Sequence, residues 1–142
     1  MAMESFSLTF RGYWRARNAI GVPGESGIYC VYACSHDATA GTVSLRKLIY
    51  IGESENVRDR IDGHERLPDW NRHLQRGEEL CFSFAPIVRG RERVEAALIH
   101  HHAPPENDAF VDTFPFDTTT VSTSGRNAKL AAAFTVRTKQ AV

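Results

Sequence analysis

The chain has 142 residues, of which 42% are hydrophobic and 24% are charged; these values exclude a wholly disordered chain and predict one domain over residues 1–142. Its 17 basic and 17 acidic residues cancel to a formal net charge of +0, so a nucleic-acid partner would need a local basic patch. No basic segment leads into an apolar run at the N-terminus, and no apolar run approaches the roughly 18 residues of a membrane span, so we expect a soluble, cytoplasmic protein without a membrane partner.

The three cysteines, Cys30, Cys34 and Cys81, are an odd number and lack the spacing of metal ligands. Cys30 and Cys34 lie on a predicted strand and its exit, where thiols usually pack as small hydrophobic groups. We therefore expect buried free thiols and a reducing compartment.

The first half of the chain predicts strands. Apolar residues alternate with Ser and Thr at 5–10, which is typical of a half-buried strand. Residues 26–33 are rich in β-forming side chains, and their even and odd positions should face opposite ways. A second such strand is predicted at 45–52. The polar connection at 35–44 is longer than the usual hairpin loop.

A helix is predicted at 57–67, with Val57 and Ile61 on its apolar stripe. Arg60 and His64 fall within the same arc, because residues on a helix advance by about 100° each. A guanidinium on the core-facing side of a helix is unusual, so the sequence indicates a polar cluster at this position.

The remaining predicted elements are a short helix at 69–76, a strand at 80–87, a helix at 90–102, a short helix at 127–134 and a last strand at 135–137. Two adjacent strands that are joined directly must be antiparallel. The sequence therefore predicts an α+β fold, a small antiparallel three-stranded sheet flanked by helices.

Two tripeptides stand on neighbouring predicted strands, Gly27-Ile28-Tyr29 and Tyr50-Ile51-Gly52. They make the chain resemble the GIY-YIG nuclease family over about residues 26–107. The other positions that match the family's motif are Arg60, His64, Glu95 and Asn107. The resemblance implies a GIY-YIG-like domain and a metal-dependent endonuclease that hydrolyses DNA phosphodiester bonds.

The resemblance also implies roles for these residues. Glu95 would be the sole protein carboxylate on one Mg²⁺ or Mn²⁺, since such ions accept oxygen ligands and keep several waters. Arg60 would grip the phosphate as a planar donor that stays charged. Tyr29 or Tyr50 would act on the attacking water.

Two further positions have supporting roles under the same resemblance. His64 would help a tyrosine whose unperturbed pKa, near 10, is high for a base. Asn107 would orient or stabilise the site.

The chain departs from the family pattern at two places. The connection at 35–44 lengthens the hairpin, and Glu53 follows the second tripeptide where some members have a lysine. A carboxylate there removes positive charge near the phosphate, and Lys47 is a candidate for replacing it.

Other interpretations remain open. The chain could be a catalytically inactive module of the same fold that binds nucleic acid or a protein partner, or a structural domain whose tyrosines and Arg60 form a buried polar network. Arg60 could instead form a buried structural ion pair with Glu95 or Glu53. The three consecutive histidines at 100–102 point about 100° apart on a helix, so we expect a solvated helix end there and no metal site.

Overall fold

The computed structural model describes residues 3–137. Six strands form one mixed sheet in the order β3-β2-β4-β1-β5-β6. The strands are β1 (Glu4–Arg15), β2 (Gly27–Asp37), β3 (Thr42–Ser54), β4 (Glu79–Pro86), β5 (Thr119–Gly125) and β6 (Ala133–Val136). The helices are α1 (Val57–Ile61), α2 (Leu67–Asn71) and α3 (Arg91–His102), with a 3₁₀ helix at Ala16–Gly21.

The predicted fold class is wrong. The three antiparallel strands expected from the sequence are present as β3, β2 and β4, but they form only half of a six-stranded sheet that curls into a half-barrel. The strand predicted at 5–10 is the start of β1, which pairs antiparallel with β4 and parallel with β5. Strands therefore dominate the molecule, and its helices are few and short.

The C-terminal part of the chain explains this difference. Residues 119–125 are mostly Thr and Ser and give little apolar signal, yet Thr119, Val121 and Thr123 alternate inward and are buried. Their hydroxyl groups can be buried because the strand and its neighbours satisfy them; Thr119 Oγ1, for example, donates to the Asp117 carbonyl at 2.7 Å. The short helix predicted at 127–134 does not form, and residues 133–136 are β6.

The helices predicted in the middle of the chain are also shorter than expected. The helix predicted at 57–67 ends at Ile61, with Asp62 as its C-cap. Gly63 follows with a φ of +65°, a conformation that breaks the helical path and that glycine adopts without strain. The helix predicted at 69–76 is α2, which spans only Leu67–Asn71.

The two faces of the sheet carry separate cores. The even residues of β2, such as Ile28 and Cys30, pack with α3, whereas the odd residues, such as Tyr29 and Val31, pack with α1 and α2. This alternation confirms the predicted facing of β2, and it places Tyr29 beneath the two short helices.

The expectation of free cysteines is wrong for two of the three. Cys34 and Cys81 form a disulfide between the adjacent strands β2 and β4, with their Cα atoms 6.2 Å apart. Cys30 is free and buried, as expected. Spacing along the chain could not reveal this pair, because it depends on which strand lies beside β2.

Among the described helices, none has both the length and the apolar character needed to cross a lipid bilayer.

Candidate active site

Tyr29 and Tyr50 lie on the adjacent strands β2 and β3, with their ring centroids 6.2 Å apart. Gly52 is the register partner of Tyr29, and the Tyr29 ring lies directly over it. A Cβ atom at Gly52 would come within 2.3 Å of Tyr29 Cζ, far below van der Waals contact. The glycine of the second tripeptide is therefore required by the position of the tyrosine of the first.

A glycine is required in the first tripeptide for a similar reason, a close approach to β4 on the other side of β2. A Cβ atom at Gly27 would come within 2.4 Å of both the Ala85 carbonyl oxygen and the Phe84 ring on β4. Both tripeptide glycines thus permit close packing, at positions where neither needs a positive φ.

His64 follows α1 and is hydrogen-bonded at both ring nitrogens. Its Nδ1 accepts the backbone N–H of Arg66 at 3.0 Å, and its Nε2 lies 3.0 Å from Tyr29 Oη. Because Nδ1 is an acceptor, the proton of the neutral ring is on Nε2 and is donated to Tyr29. The Tyr29 hydroxyl therefore keeps its own hydrogen for another acceptor.

Both this histidine and this tyrosine are neutral at physiological pH. Burial, with a smaller contribution from the charge of Arg60, lowers the pKa of His64 to about 4. Burial also raises the pKa of Tyr29 above its usual range, and the pKa of Tyr50 is raised for the same reason. The two phenols are consequently hydrogen-bond donors in this environment, and a neutral His64 does not lower the pKa of Tyr29 by its charge.

An aromatic residue that the sequence analysis did not single out completes the cluster. Trp70 of α2 is fully buried, and its ring centroid lies 4.3 Å from that of His64 and 5.2 Å from that of Tyr50. The available signal was a large aromatic residue two positions after Pro68 in a short, otherwise polar segment. Trp70 restricts the movement of both rings and excludes water from one side of the cluster.

Arg60 lies near both tyrosines, since its charge lowers the pKa of each against the effect of burial. Its guanidinium forms a bidentate ion pair with Glu65 at 2.6 and 2.7 Å. This pair holds the pKa of Glu65 near 2. The alternative partners expected for an ion pair, Glu95 and Glu53, are therefore not the ones that Arg60 contacts.

Glu95 is the acidic residue of the site and projects from α3. Burial is the largest cause that raises its pKa to about 7, and the nearby carboxylates of Glu53 and Glu92 contribute to the same shift. Its charge in turn raises the pKa of Tyr29 and Tyr50, so the three groups are within electrostatic reach of one another. Like charges this close favour a bound cation or a bound proton.

Glu53 lies at the position where some members of the family that the chain resembles have a lysine. It is ion-paired with Arg91. Arg91 also donates to Ser26 Oγ at 2.8 Å. Lys47, the expected substitute cation, instead contacts His73 Nδ1 at 2.9 Å. Positive charge beside Glu53 thus comes from α3, a contact that spacing along the chain did not suggest.

The candidate site offers few protein ligands for a hard divalent ion. Within residues 3–137 no group of three or more His, Cys, Asp or Glu side chains is placed to hold a metal. Glu95 with Glu53 offers carboxylate oxygens, the ligand type that Mg²⁺ and Mn²⁺ accept, and such ions often complete their shell with water and phosphate oxygens.

Asn107 supports the site from behind. Its side chain accepts the Ile51 N–H at 3.0 Å and donates to the Ile51 carbonyl at 2.9 Å. The neighbouring Glu106 N–H donates to the Ile49 carbonyl at 3.1 Å. These bonds cover the free edge of β3 on both sides of Tyr50, so Asn107 acts on the backbone that carries the tyrosine.

The three histidines near the end of α3 do not converge. His100 Nδ1 is bonded to the Phe110 carbonyl oxygen, and His102 accepts the Ala131 N–H at 2.9 Å. His101 stacks on Phe134 with centroids 4.2 Å apart. Each ring therefore has its own packing role, and only His101 is exposed, in place of the solvated helix end that we expected.

Comparison of the chain with protein-family models, with curated proteins and with solved structures finds no match.

Proposed function

We propose that the protein is a metal-dependent endonuclease that hydrolyses DNA phosphodiester bonds at the Tyr29–Glu95 site, with a GIY-YIG-like arrangement of residues. The observation that carries the proposal is a cluster in which Tyr29 of β2 and Tyr50 of β3 interact electrostatically with both Arg60 of α1 and Glu95 of α3, and in which the pKa of Glu95 is about 7. Perturbed acidic groups beside hydrogen-bond donors are typical of catalytic sites.

The chain's own residues supply donors for a phosphate. The Tyr29 hydroxyl hydrogen is not used by His64, so it is available to a phosphate oxygen or to the attacking water. Arg60 would exchange Glu65 for the phosphate, since each offers two oxygen atoms that can accept bidentate hydrogen bonds from a guanidinium. His64, which itself packs on Trp70, keeps the Tyr29 ring in place during this exchange.

A divalent ion at Glu95 would neutralise charge on the phosphate oxygens. Glu95 must be ionised to bind it, and half of the Glu95 population is protonated near pH 7 when no ion is present. Cleavage should therefore increase with pH across the neutral range.

The test is nicking of supercoiled plasmid with Mg²⁺ or Mn²⁺ and with EDTA. Glu95→Gln should reduce metal-dependent nicking by at least about 100-fold, because it removes the ligand while keeping the shape. Glu92→Gln is the matched control, since Glu92 is an exposed carboxylate on the same helix. Equal nicking by wild type and Glu95→Gln would exclude the proposed role.

A second candidate function is a module that binds nucleic acid or a protein partner without cutting. It is favoured by the Arg60–Glu65 pair, which occupies two of the guanidinium donors, and by the negative charge of Glu53. DNA binding that is sensitive to salt, without nicking in either metal, would support it.

A cytoplasmic location is part of the proposal, because an endonuclease of this kind meets cellular DNA there. It requires the Cys34–Cys81 disulfide to withstand a reducing environment or to be present only in part of the population.

A further inference from the structure

A second concave region lies at the far end of β2 from the candidate active site. It is a cavity of about 390 Å³ between the bulge of β1, the 3₁₀ helix, the β2–β3 connection and the end of β5. Its polar lining side chains are Tyr13, Arg15, Asn18, His36, Thr42 and Arg126. At roughly 3.3 Å per strand residue, His36 is about 23 Å along β2 from Tyr29. We call this region the distal cleft.

The distal cleft is cationic, although the chain as a whole is neutral. None of the described residues that line it is acidic. Arg15 is ion-paired with Glu79 at 2.8 Å, but Arg17 and His36 also act on the same carboxylate and lower its pKa. A neighbouring cavity of about 430 Å³ shares Arg126 and adds Arg11. The single carboxylate of Glu79 therefore neutralises only part of the positive charge in this region, and an excess of positive charge is left.

Arg126 is held where both cavities meet. Gly125 before it has a φ of +75°, and a Cβ atom there would come within 2.4 Å of the Phe10 carbonyl oxygen. The Arg126 N–H donates to the same oxygen at 2.9 Å, which fixes its backbone against β1. Within residues 3–137 its guanidinium has no hydrogen-bond or ion-pair partner, so its side-chain donors are available to a ligand.

We propose that the distal cleft binds the phosphate group of a nucleotide-sized phosphate ester, with Arg126 as the main donor. A guanidinium matches the geometry of phosphate oxygens, and the cleft's volume is within the range of small-molecule sites. The neutral side chains of Asn18 and Thr42 supply hydrogen bonds that orient the rest of the ligand. The inference does not depend on nuclease activity, because the distal cleft shares no lining residue with the candidate active site.

Calorimetric titration at low salt tests the proposal with inorganic phosphate, adenosine 5′-monophosphate and adenosine. The wild-type protein should bind the monophosphate but not adenosine. Arg126→Ala should weaken this binding about tenfold or more, as expected for loss of a charged hydrogen-bond donor. Arg137→Ala is the matched control: Arg137 is exposed and follows Val136, which pairs with Thr119 at the opposite end of β5.

A single-stranded DNA dodecamer distinguishes the two sources of the phosphate. Tighter binding of DNA than of the monophosphate, lost in Arg126→Ala, would assign the distal cleft to a nucleic-acid strand; the reverse preference would assign it to a free nucleotide. Equal binding of adenosine and the monophosphate would overturn phosphate recognition. An unchanged Arg126→Ala affinity, or no binding of any phosphate probe by the wild type, would overturn the site.

Discussion

At the scale of single residues, the site depends on what burial does to ionisable groups. Glu95, His64 and Tyr29 all have a pKa shifted toward the neutral form, and burial is the largest cause in each case. Glu95 differs from the other two because its pKa, about 7, lies where small changes in charge alter its ionisation. The charge of a nearby phosphate, cation or carboxylate therefore changes the ionisation of Glu95 more than that of His64 or Tyr29.

The raised pKa of Glu95 predicts a pH-dependent stability difference. The folded state holds the Glu95 proton more tightly than the unfolded state, whose pKa is near 4.5, so this contribution is complete below pH 4.5 and is lost as pH rises through 7. Glu95→Gln removes the effect. Without divalent ions, the variant should gain on the order of 2–3 kcal/mol over wild type between pH 4.5 and pH 8.

Urea unfolding of both proteins at several pH values measures this difference. Glu55→Gln should follow the wild-type pH dependence closely, since the Glu55 carboxylate is exposed and is not among the groups that shift the pKa of Glu95. A stability difference between wild type and Glu95→Gln that stays constant from pH 4.5 to pH 8 would contradict a raised pKa at Glu95.

At the scale of elements, the edge strand β3 positions the site. It carries Tyr50, it supplies Gly52 as the floor beneath Tyr29, and Asn107 covers its free edge. The short helices α1 and α2 then close over the tyrosines through Val57 and Trp70. The lengths of these helices matter less than the two turns that follow Ile61 and precede Leu67, because those turns bring His64 to Tyr29.

The close approach at Gly52 predicts a specific loss. Gly52→Ala should destabilise the protein by about 1–3 kcal/mol, because the new methyl group must displace the buried Tyr29 ring. Gly24→Ala is the control, since its Cβ atom would meet only the ends of side chains, those of Asn56 at 3.3 Å and Arg58 at 3.5 Å. Denaturant unfolding compares the two variants with wild type. Equal stability of Gly52→Ala and Gly24→Ala would show that the Tyr29 ring can move at little cost.

At the scale of the whole molecule, the order of the sheet decides which distant segments meet. β1 lies between β4 and β5, so the two termini of the described chain complete a sheet whose other half carries the candidate active site. The Cys34–Cys81 disulfide crosses from β2 to β4 and closes a loop whose cysteines are 47 residues apart. That loop contains β3, α1 and α2, which carry Tyr50, Arg60, His64 and Trp70.

The disulfide should therefore stabilise the site-bearing half of the chain. Restriction of the unfolded loop predicts that reduction costs about 4 kcal/mol at 25 °C in the chain-entropy account. Guanidinium unfolding with and without a reductant measures the change. The double variant Cys34→Ala/Cys81→Ala should be insensitive to reductant although it keeps Cys30. A wild-type midpoint that does not respond to complete reduction would mean that the bond adds no stability.

The sequence by itself determined the local parts of this protein. Alternation along 26–33 and 45–52 specifies the strands and their faces, because side chains on a strand repeat every two residues. The two tripeptides, with Arg60, His64 and Glu95, name candidate site residues through their resemblance to a family motif, which is read along the chain. The assembly of these residues into a catalytic site is a proposal.

Only the tertiary structure decided the properties that depend on neighbours distant in the chain. The sheet has six strands because the Thr-rich segment 119–125, whose apolar signal is weak, pairs with β1. The partner of Arg60, the disulfide, the neutral state of His64 and the role of Trp70 follow from packing between elements. Periodicity describes one element at a time, whereas pairing and burial are set by the elements that surround it.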